Sequence, residues 1–210
     1  MKSPADCRLY AIVDLGYIQP EAVVEMTRAL VKGGADLVQL RAKQHSESTI
    51  LALGRAMLPI TRAAGVPLII NDFPALVPQI GANGAHIGQD DGPIEIARQA
   101  AGPGAIIGRS THSLEQARAA FAEGADYLGF GPLFPTPTKP DYTAIGLADI
   151  AKVVVESPVP VFCIGGIKTH NLCEVMNAGA KRVVIVSELL QSPDPAAAVR
   201  EIKALIASHS

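Results

Sequence analysis

The stretch GADLVQL, residues 34–40, decides the fold because it joins a short connector to a short, continuously apolar run. The apolar runs are continuous rather than alternating, which is typical of parallel strands buried on both faces. Stretches with apolar residues at helical spacing lie between the runs and predict linking helices. Eight such runs occur, at residues 9–13, 37–40, 68–70, 85–87, 106–108, 127–130, 161–164 and 183–186.

The connectors before these runs alternate along the chain. A Gly-Ala pair precedes or enters every second run, whereas proline precedes the third and seventh runs. We expect the glycines of these pairs to adopt the left-handed backbone that ends a helix. They are Gly34, Gly84, Gly124 and Gly179. Two-fold alternation over eight units predicts an α/β fold, a closed parallel (β/α)8 TIM barrel, in a single domain over residues 1–210. No dinucleotide fingerprint or Walker loop follows any run, which argues against an open nucleotide-binding sheet.

Composition excludes several classes of protein. The 210 residues are 49% hydrophobic and 18% charged, which is typical of a globular chain. A formal net charge of −2 gives no field that would attract nucleic acid or an anionic membrane. The first residues carry no apolar signal segment, so we expect a cytoplasmic protein without nucleic-acid or membrane partners, and self-association into a homo-oligomer stays open. Cys7, Cys163 and Cys173 lack metal-ligand spacing and are predicted to be small buried side chains.

Polar residues collect directly after the apolar runs, and in a (β/α)8 barrel chemistry takes place at the carboxyl ends of the strands. After the second run, Gln39, Arg41 and Lys43 alternate, which places their side chains on one face of a strand. Two cations and an amide donor on one face are suited to an oxyanion such as a phosphate. The alternative is an ion layer inside the barrel, in which these cations pair with internal carboxylates.

Two carboxylates follow neighbouring runs. Asp72 comes after the third run and Asp91 after the fourth, each with an amide side chain close by, Asn71 and Gln89. Hard oxygen ligands without thiolates or paired histidines favour Mg²⁺, which takes one or two carboxylates together with a substrate phosphate. We therefore expect Asp72 and Asp91 to hold Mg²⁺, and the alternative is that either one caps a strand end.

A proline-rich loop follows the sixth run, with the sequence PTPTKP at residues 135–140. The prolines fix the backbone and leave Thr136, Thr138 and Lys139 available to point inward. The loop is interpreted either as a phosphate lid or as a segment that is only rigid.

Backbone groups after the last two runs form a second candidate anion site. Gly165-Gly166-Ile167, followed by Lys168-Thr169, opens a helix after the seventh run, and Ser187 opens one after the eighth. Backbone N–H groups at both places form the phosphate cup that many barrels share. His86 lies on the fourth run, where a structural hydrogen bond and a contact with substrate are both open.

These motifs occur together, in order and over essentially the whole chain, and their combination resembles the thiamine phosphate synthase family. The loop PTPTK, combined with Asn71-Asp72 and with Gln89-Asp90-Asp91, is the specific part of the resemblance. The motifs are YAIVD (10–14), QLRAK (39–43), IND (70–72), HIGQDD (86–91), STH (110–112), GPLFPTPTK (131–139), IGGI (164–167) and VS (186–187).

The resemblance implies a Mg²⁺-dependent transferase that joins an aminopyrimidine methyl diphosphate to a thiazole phosphate, giving thiamine phosphate and pyrophosphate by a dissociative mechanism. Asp72 and Asp91 would hold the metal. The diphosphate would be held by Arg41, Lys43, Asn71, Ser110 and Lys139. The other implied substrate contacts are Tyr10, Gln39, His86, Thr136, Thr138 and Val186, with Gly166 and Ser187 facing the thiazole phosphate.

Two departures from the family pattern and two alternatives remain. Asp90 stands where many relatives carry Glu, and Arg109 precedes Ser110 where a small residue is common, so Arg109 either crowds the diphosphate or aids it. One alternative is an isomerase similar to the thiazole tautomerases, which share the barrel but lack the diphosphate residues. The other is a non-catalytic binder of thiamine precursors.

Overall fold

A computed structural model describes residues 1–136 and 143–209. In this part of the chain, eight parallel strands pair in chain order and close into a barrel, with the last strand paired to the first. The predicted (β/α)8 barrel is confirmed, and each predicted run coincides with a strand to within a few residues. The strands are β1 (Leu9–Asp14), β2 (Leu37–Arg41), β3 (Leu68–Asn71), β4 (Gly84–Ile87), β5 (Ile106–Thr111), β6 (Tyr127–Phe130), β7 (Val161–Cys163) and β8 (Val183–Ile185).

Three strands extend by one polar residue beyond the apolar run. Asp14 ends β1, Arg41 ends β2 and Asn71 ends β3. The pairing of Asp14 with Arg41, and of Asn71 with His86, extends the sheet to these positions. Their polar side chains are therefore fixed by strand geometry at the carboxyl rim of the barrel, instead of standing in loops.

Helices follow the strands and cover the outside of the barrel. The first of them buries Val23, Thr27 and Leu30, a spacing of three to four residues that gives a helix one apolar face. The helices are α1 (Val23–Gly33), α2 (Glu47–Ala63), α3 (Leu76–Ile80), α4 (Ile94–Ala101), α5 (Leu114–Ala122), α6 (Ile150–Glu156), α7 (Thr169–Asn177), α8 (Ser187–Leu190) and α9 (Pro195–Ala207).

An aromatic cluster fills the inside of the barrel. The rings of Tyr10, Tyr127 and Phe162 lie edge to face, with centroid separations of 5.5 to 5.9 Å. All three side chains are fully or almost fully buried. Edge-to-face contact is a favoured arrangement of aromatic rings, so the cluster gives the barrel a packed floor beneath its open mouth.

Three of the four connector glycines behave as expected and one does not. Gly34, Gly124 and Gly179 have φ values of +101°, +90° and +107°, in the left-handed region that ends a helix. The prediction for Gly84 is wrong, because Gly84 lies inside β4 and Gly81 (φ +79°) makes the left-handed turn after α3. A Cβ on Gly84 would lie 1.9 Å from the carbonyl oxygen of Ile106, so a side chain is excluded there by the neighbouring strand.

The cysteines divide into two groups. Cys7 and Cys163 are fully buried as predicted, and burial raises the pKa of each thiol to about 12, so neither is a thiolate nucleophile. Cys173 differs from the prediction, because it is only partly buried on α7. None of the helices in the described ranges is long and apolar enough to cross a membrane.

Candidate active site at the barrel mouth

A cleft opens at the carboxyl ends of the strands, above the aromatic floor. Asp91 does not line the cleft but lies close enough to Asp72 to influence its pKa, and the predicted contacts Thr138 and Lys139 lie outside the described residues. The remaining predicted site residues all line this cleft, namely Tyr10, Gln39, Arg41, Lys43, Asn71, Asp72, His86, Ser110, Thr136, Gly166, Val186 and Ser187.

The cations at the end of β2, Arg41 in the strand and Lys43 just after it, are each matched by a carboxylate. Arg41 Nη1 donates to Asp14 Oδ2 at 2.7 Å, and Lys43 Nζ lies 3.0 Å from Asp72 Oδ2. Asp14 also accepts a hydrogen bond from the backbone of Gly16, so its carboxylate is held on two sides. The sequence left open an oxyanion site or an ion layer inside the barrel. The structure has features of both, since the cations face the cleft and are paired with internal carboxylates. Sequence reasoning did not assign a role to Asp14.

Asp72 and Asp91 place two carboxyl groups close together after β3 and β4. Asp72 has a left-handed backbone (φ +61°), which turns the chain directly after β3. Burial raises the pKa of Asp72 and the neighbouring Asp91 adds to this, whereas the hydrogen bond from Lys43 opposes it. Asp91 Oδ2 accepts the Gly88 N–H at 2.6 Å, which fixes its direction. Two adjacent oxygen-donor carboxylates that resist bearing both charges are suited to a divalent cation.

A larger cluster of metal ligands is absent from the described part of the chain. In residues 1–136 and 143–209, no group of three or more His, Cys, Asp or Glu side chains is arranged to hold a metal ion. The residues present therefore fit an ion that takes two protein carboxylates and obtains its remaining ligands from elsewhere, as Mg²⁺ commonly does.

Arg109 turns away from the cleft, which settles the question left open by the sequence. The residue is almost fully buried, and its guanidinium donates to the carbonyl oxygens of Gly92 (2.7 Å) and Gln89 (3.3 Å). The Gln89 side chain in turn donates to the Ser110 carbonyl. These contacts hold both ends of the loop that carries Asp91, so Arg109 does not crowd the anion site.

A chain of hydrogen bonds crosses the floor of the cleft between side chains of five strands. Ser110 Oγ lies 2.9 Å from His86 Nε2, and His86 Nδ1 lies 3.0 Å from the Tyr127 hydroxyl. The Tyr127 hydroxyl lies 3.0 Å from that of Tyr10, which accepts from the Gln39 amide. Burial raises the pKa of both tyrosines, so both hydroxyls stay protonated. The structural hydrogen bond considered for His86 is therefore present, and His86 also lines the cleft.

Buried polar side-chain atoms of Gln39 and Asn71 at this site have no hydrogen-bond partner among the described residues. They are the buried Gln39 Oε1 and Asn71 Nδ2. A buried polar atom without a partner costs free energy, so these atoms are candidates for contact with a bound molecule. Tyr127, which links His86 to Tyr10, was missed by sequence reasoning, and its only signal was a hydroxyl group within an apolar run.

The second candidate anion site lies after β7 and β8. Gly166 has φ +65°, and a Cβ there would lie 2.7 Å from Phe134 Cβ, so the backbone after β7 packs closely against the segment after β6. Asn171 fixes this turn, because its side chain accepts from the Lys168 N–H at 2.7 Å and donates to the Gly166 carbonyl at 3.0 Å. Ser187 Oγ accepts from Lys168 Nζ at 2.8 Å. Sequence reasoning gave Lys168 no role.

Comparison with known proteins identifies the family. A family model described as thiamine monophosphate synthase matches residues 9–189, from β1 into α8. The chain belongs to this family. The match spans the strands, the cleft and both candidate anion sites, and it confirms the resemblance drawn from the motifs.

Individual relatives agree with the family model. The chain is 42% identical to the thiamine-phosphate synthase of Roseiflexus sp. (strain RS-1), over 95% of this chain and 85% of the relative. It is 44% identical to that of Thermus thermophilus, over 87% of this chain and 88% of the relative. Among solved structures, thiamine phosphate pyrophosphorylase from Pyrococcus furiosus superposes with a TM-score of 0.88 at 33% identity, covering 97% of this chain and 96% of the other.

Proposed function

We propose that this chain is a transferase that condenses an aminopyrimidine methyl diphosphate with a thiazole phosphate to give thiamine phosphate and pyrophosphate. The observation that carries the proposal is the joint presence of Arg41, Lys43 and Asp72 in one cleft with the Gly166 and Ser187 backbone. One group is suited to a diphosphate and the other to a single phosphate. Family membership supports the same reaction.

In this proposal the diphosphate lies near β2 to β5. Arg41 offers a planar fork and Lys43 a point charge to the phosphate oxygens, and Asn71 Nδ2 supplies a donor that is otherwise unused among the described residues. Ser110 lies at the same rim, and Lys139, outside the described residues, would complete the set. Because negative charge grows on the diphosphate as its C–O bond breaks, these donors stabilise the transition state more than the ground state.

Asp72 and Asp91 would hold Mg²⁺ between themselves and the diphosphate. A bound Mg²⁺ would neutralise charge on the leaving diphosphate. The raised pKa of Asp72, due to burial and to the Asp91 carboxyl, supports this role, because the pair gains stability when a cation is added. Lys43 contacts Asp72 at 3.0 Å and so lies where it would touch the same phosphate oxygens.

The two organic rings would meet over the aromatic floor. Gln39 and His86 would contact the pyrimidine, with Tyr10 beneath them, while Thr136 and Thr138 would lie beside the substrates. The C–O bond to the diphosphate breaks, and the electron-donating amino group of the pyrimidine stabilises the resulting cation. The thiazole ring nitrogen then forms the new C–N bond with its lone pair. Thiazole phosphate would be anchored by the backbone at Gly166, Val186 and Ser187.

Two alternatives are less well supported. An isomerase of the thiazole tautomerase kind would have no use for Arg41, Lys43 and the Asp72–Asp91 pair, all of which are present. A binder without catalysis would not need two carboxylates placed for a metal beside the diphosphate cations.

We also propose the setting in which the chain works. Both substrates are anionic small molecules that do not cross a bilayer unaided, which favours the cytoplasm. Pairing of β1 with β8 favours a single domain over residues 1–210. The partners are then the two substrates and Mg²⁺, with a homo-oligomer left open.

A turnover assay tests this function. Purified full chain is incubated with both substrates and Mg²⁺, and thiamine phosphate and pyrophosphate are measured together. We expect both products in equal amounts, and neither when Mg²⁺ or either substrate is omitted. An Asp72→Ala variant, verified as folded by circular dichroism, should lose activity by orders of magnitude. Absence of thiamine phosphate from the complete mixture would favour the non-catalytic binder.

A further inference from the structure

We propose that Lys168 is the cation of the second anion site, binding the phosphate of the thiazole substrate, and that Glu188 is its counter-ion when no phosphate is bound. The inference rests on the proposed function of the Gly166 and Ser187 backbone. The inference adds a charged side chain to this backbone site. It also predicts that the site prefers a phosphate ester to the corresponding alcohol.

The position of Lys168 carries the first step. Lys168 Nζ lies 2.8 Å from Ser187 Oγ, and Ser187 lines the cleft. The backbone of Lys168 is fixed by the Asn171 side chain, which also holds the Gly166 carbonyl. The ammonium group is therefore tied to both sides of the cup, to Gly166 through Asn171 and to Ser187 directly.

The distribution of charge carries the second step. In the described part of the cleft wall, Arg41 and Lys43 both follow from β2, and they are bound to Asp14 and Asp72. These two cations are assigned to the diphosphate. A phosphate at the other end of the mouth needs charge of its own, and among the described residues Lys168 places its ammonium group next to Ser187.

Glu188 explains how Lys168 is kept in place without a ligand. Lys168 Nζ lies 3.3 Å from Glu188 Oε2, while Glu188 Oε1 accepts from the Thr169 hydroxyl at 2.9 Å. Burial alone would raise the pKa of Glu188, but the hydrogen bonds from Thr169 and Lys168 outweigh it and hold the pKa below its ordinary value. Because Thr169 anchors the carboxylate, Lys168 can turn towards a phosphate while Glu188 keeps its place.

The expected consequence is a binding preference set by charge. A phosphate monoester offers charged oxygens that an ammonium group binds as a point charge, whereas the thiazole alcohol offers only a neutral hydroxyl. Lys168 should therefore contribute to binding of the ester only, and its contribution should fall as salt concentration rises.

The test is calorimetric titration of the full chain with thiazole phosphate and with its dephosphorylated alcohol. Lys168→Met should weaken binding of the phosphate ester by about tenfold or more and leave binding of the alcohol unchanged, while Lys168→Arg should retain most of the affinity. Glu188→Gln should tighten binding of the ester, because the competing carboxylate is gone. The matched control is Lys181→Met, which removes an exposed lysine before β8, at the opposite end of the barrel.

Three results would overturn the inference. They are binding of the ester to Lys168→Met at the parent affinity, an equal loss for the ester and the alcohol, and a parent protein that binds both molecules equally well. Weaker binding by Glu188→Gln would overturn the counter-ion role. A parent that forms no thiamine phosphate, but loses ester binding in Lys168→Met, would refute the proposed function and leave the inference standing. A parent with full turnover, whose Lys168→Met variant binds the ester normally, would refute the inference and leave the proposed function standing.

Discussion

Arg41 and Asp14 are paired across two neighbouring strands, with Arg41 Nη1 2.7 Å from Asp14 Oδ2. The two residues also face each other in the register of β1 and β2. The Asp14 side chain is 2% exposed and that of Arg41 is 15% exposed, so the pair is shielded from water and weakly screened. The guanidinium therefore has one fixed orientation before any substrate arrives.

Asp14→Asn should lower kcat/KM for the pyrimidine diphosphate by about tenfold, because Arg41 loses the partner that orients its fork. Steady-state kinetics with saturating thiazole phosphate measures this effect. Glu156→Gln is the control, since it breaks the exposed Arg118–Glu156 pair and should leave kinetics unchanged. Parent-like kcat/KM in folded Asp14→Asn would show that Arg41 needs no orienting partner.

Arg109→Met should weaken divalent-cation binding by about tenfold, because the loop that carries Asp91 loses its contacts at Gln89 and Gly92. Titration with Mn²⁺, followed by electron paramagnetic resonance of the free ion, measures binding without relying on turnover. The conservative variant Arg109→Lys should retain part of the affinity.

The matched control for Arg109 is Arg98→Met. Arg98 donates to the carbonyls of Ala105 and Gly124 and so fastens loops at the amino end of the barrel. Equal Mn²⁺ affinities in the parent and Arg109→Met would contradict the positioning role. An equal loss in both variants would mean that general loosening of the fold is responsible.

Gly166→Ala should destabilise the fold by about 2 to 4 kcal/mol. The added Cβ would both strain the backbone at positive φ and clash with Phe134. Gly146→Ala is the control, since Gly146 has φ +73° and none of the described residues lies within 4 Å of the added Cβ, so strain is the main effect. Urea denaturation compares the two. Equal midpoints would indicate that the Phe134 segment moves aside freely. Replacement of Gly166 is consequently a poor probe of substrate binding alone.

Stability at acid pH should depend on Asp36. Burial alone would raise its pKa, but hydrogen bonds from Lys2, Lys203 and the backbone of Leu9 outweigh it and hold the pKa below the ordinary 3.8. A carboxyl with a lowered folded-state pKa contributes stability above its unfolded pKa, and that stability is lost as pH falls through the folded pKa. Asp36→Asn should therefore lower the free energy of unfolding by about 1 to 3 kcal/mol at neutral pH. Below about pH 4, the free energy of unfolding of this variant should depend less on pH than that of the parent.

Urea denaturation at a series of pH values measures the effect of Asp36. Glu21→Gln, which removes an exposed carboxylate, should follow the parent profile. An Asp36→Asn profile parallel to that of the parent would show that Asp36 does not titrate with unfolding.

The sequence predicted the barrel because continuous apolar runs are a strong and local signal. It predicted the positions of Arg41, Asp72 and Ser187 for a related reason, since polar residues at the carboxyl ends of parallel strands converge at one rim. The family match then rests on the same motifs.

Interactions that depend on register and side-chain direction could not be predicted in this way. The Asp14–Arg41 pair requires knowing which residues of β1 and β2 stand opposite each other. Arg109 and Ser110 are adjacent in sequence but point to opposite faces of β5, and only the strand's orientation in the barrel decides which one faces the cleft. Gly84 was misjudged because a glycine required by close approach of strands looks the same in sequence as one required by a turn.

Because the barrel closes by pairing β1 with β8, the cleft can form only after β8 has been synthesised. Leu9 pairs with Val183, so the edge of the first strand stays open until the chain as far as β8 has left the ribosome. The cleft wall uses residues of both β1 and β8, and a nascent chain that ends before β8 therefore has no complete binding site. A molecule that binds across the whole cleft would therefore stabilise chains that include β8 over chains that end before it.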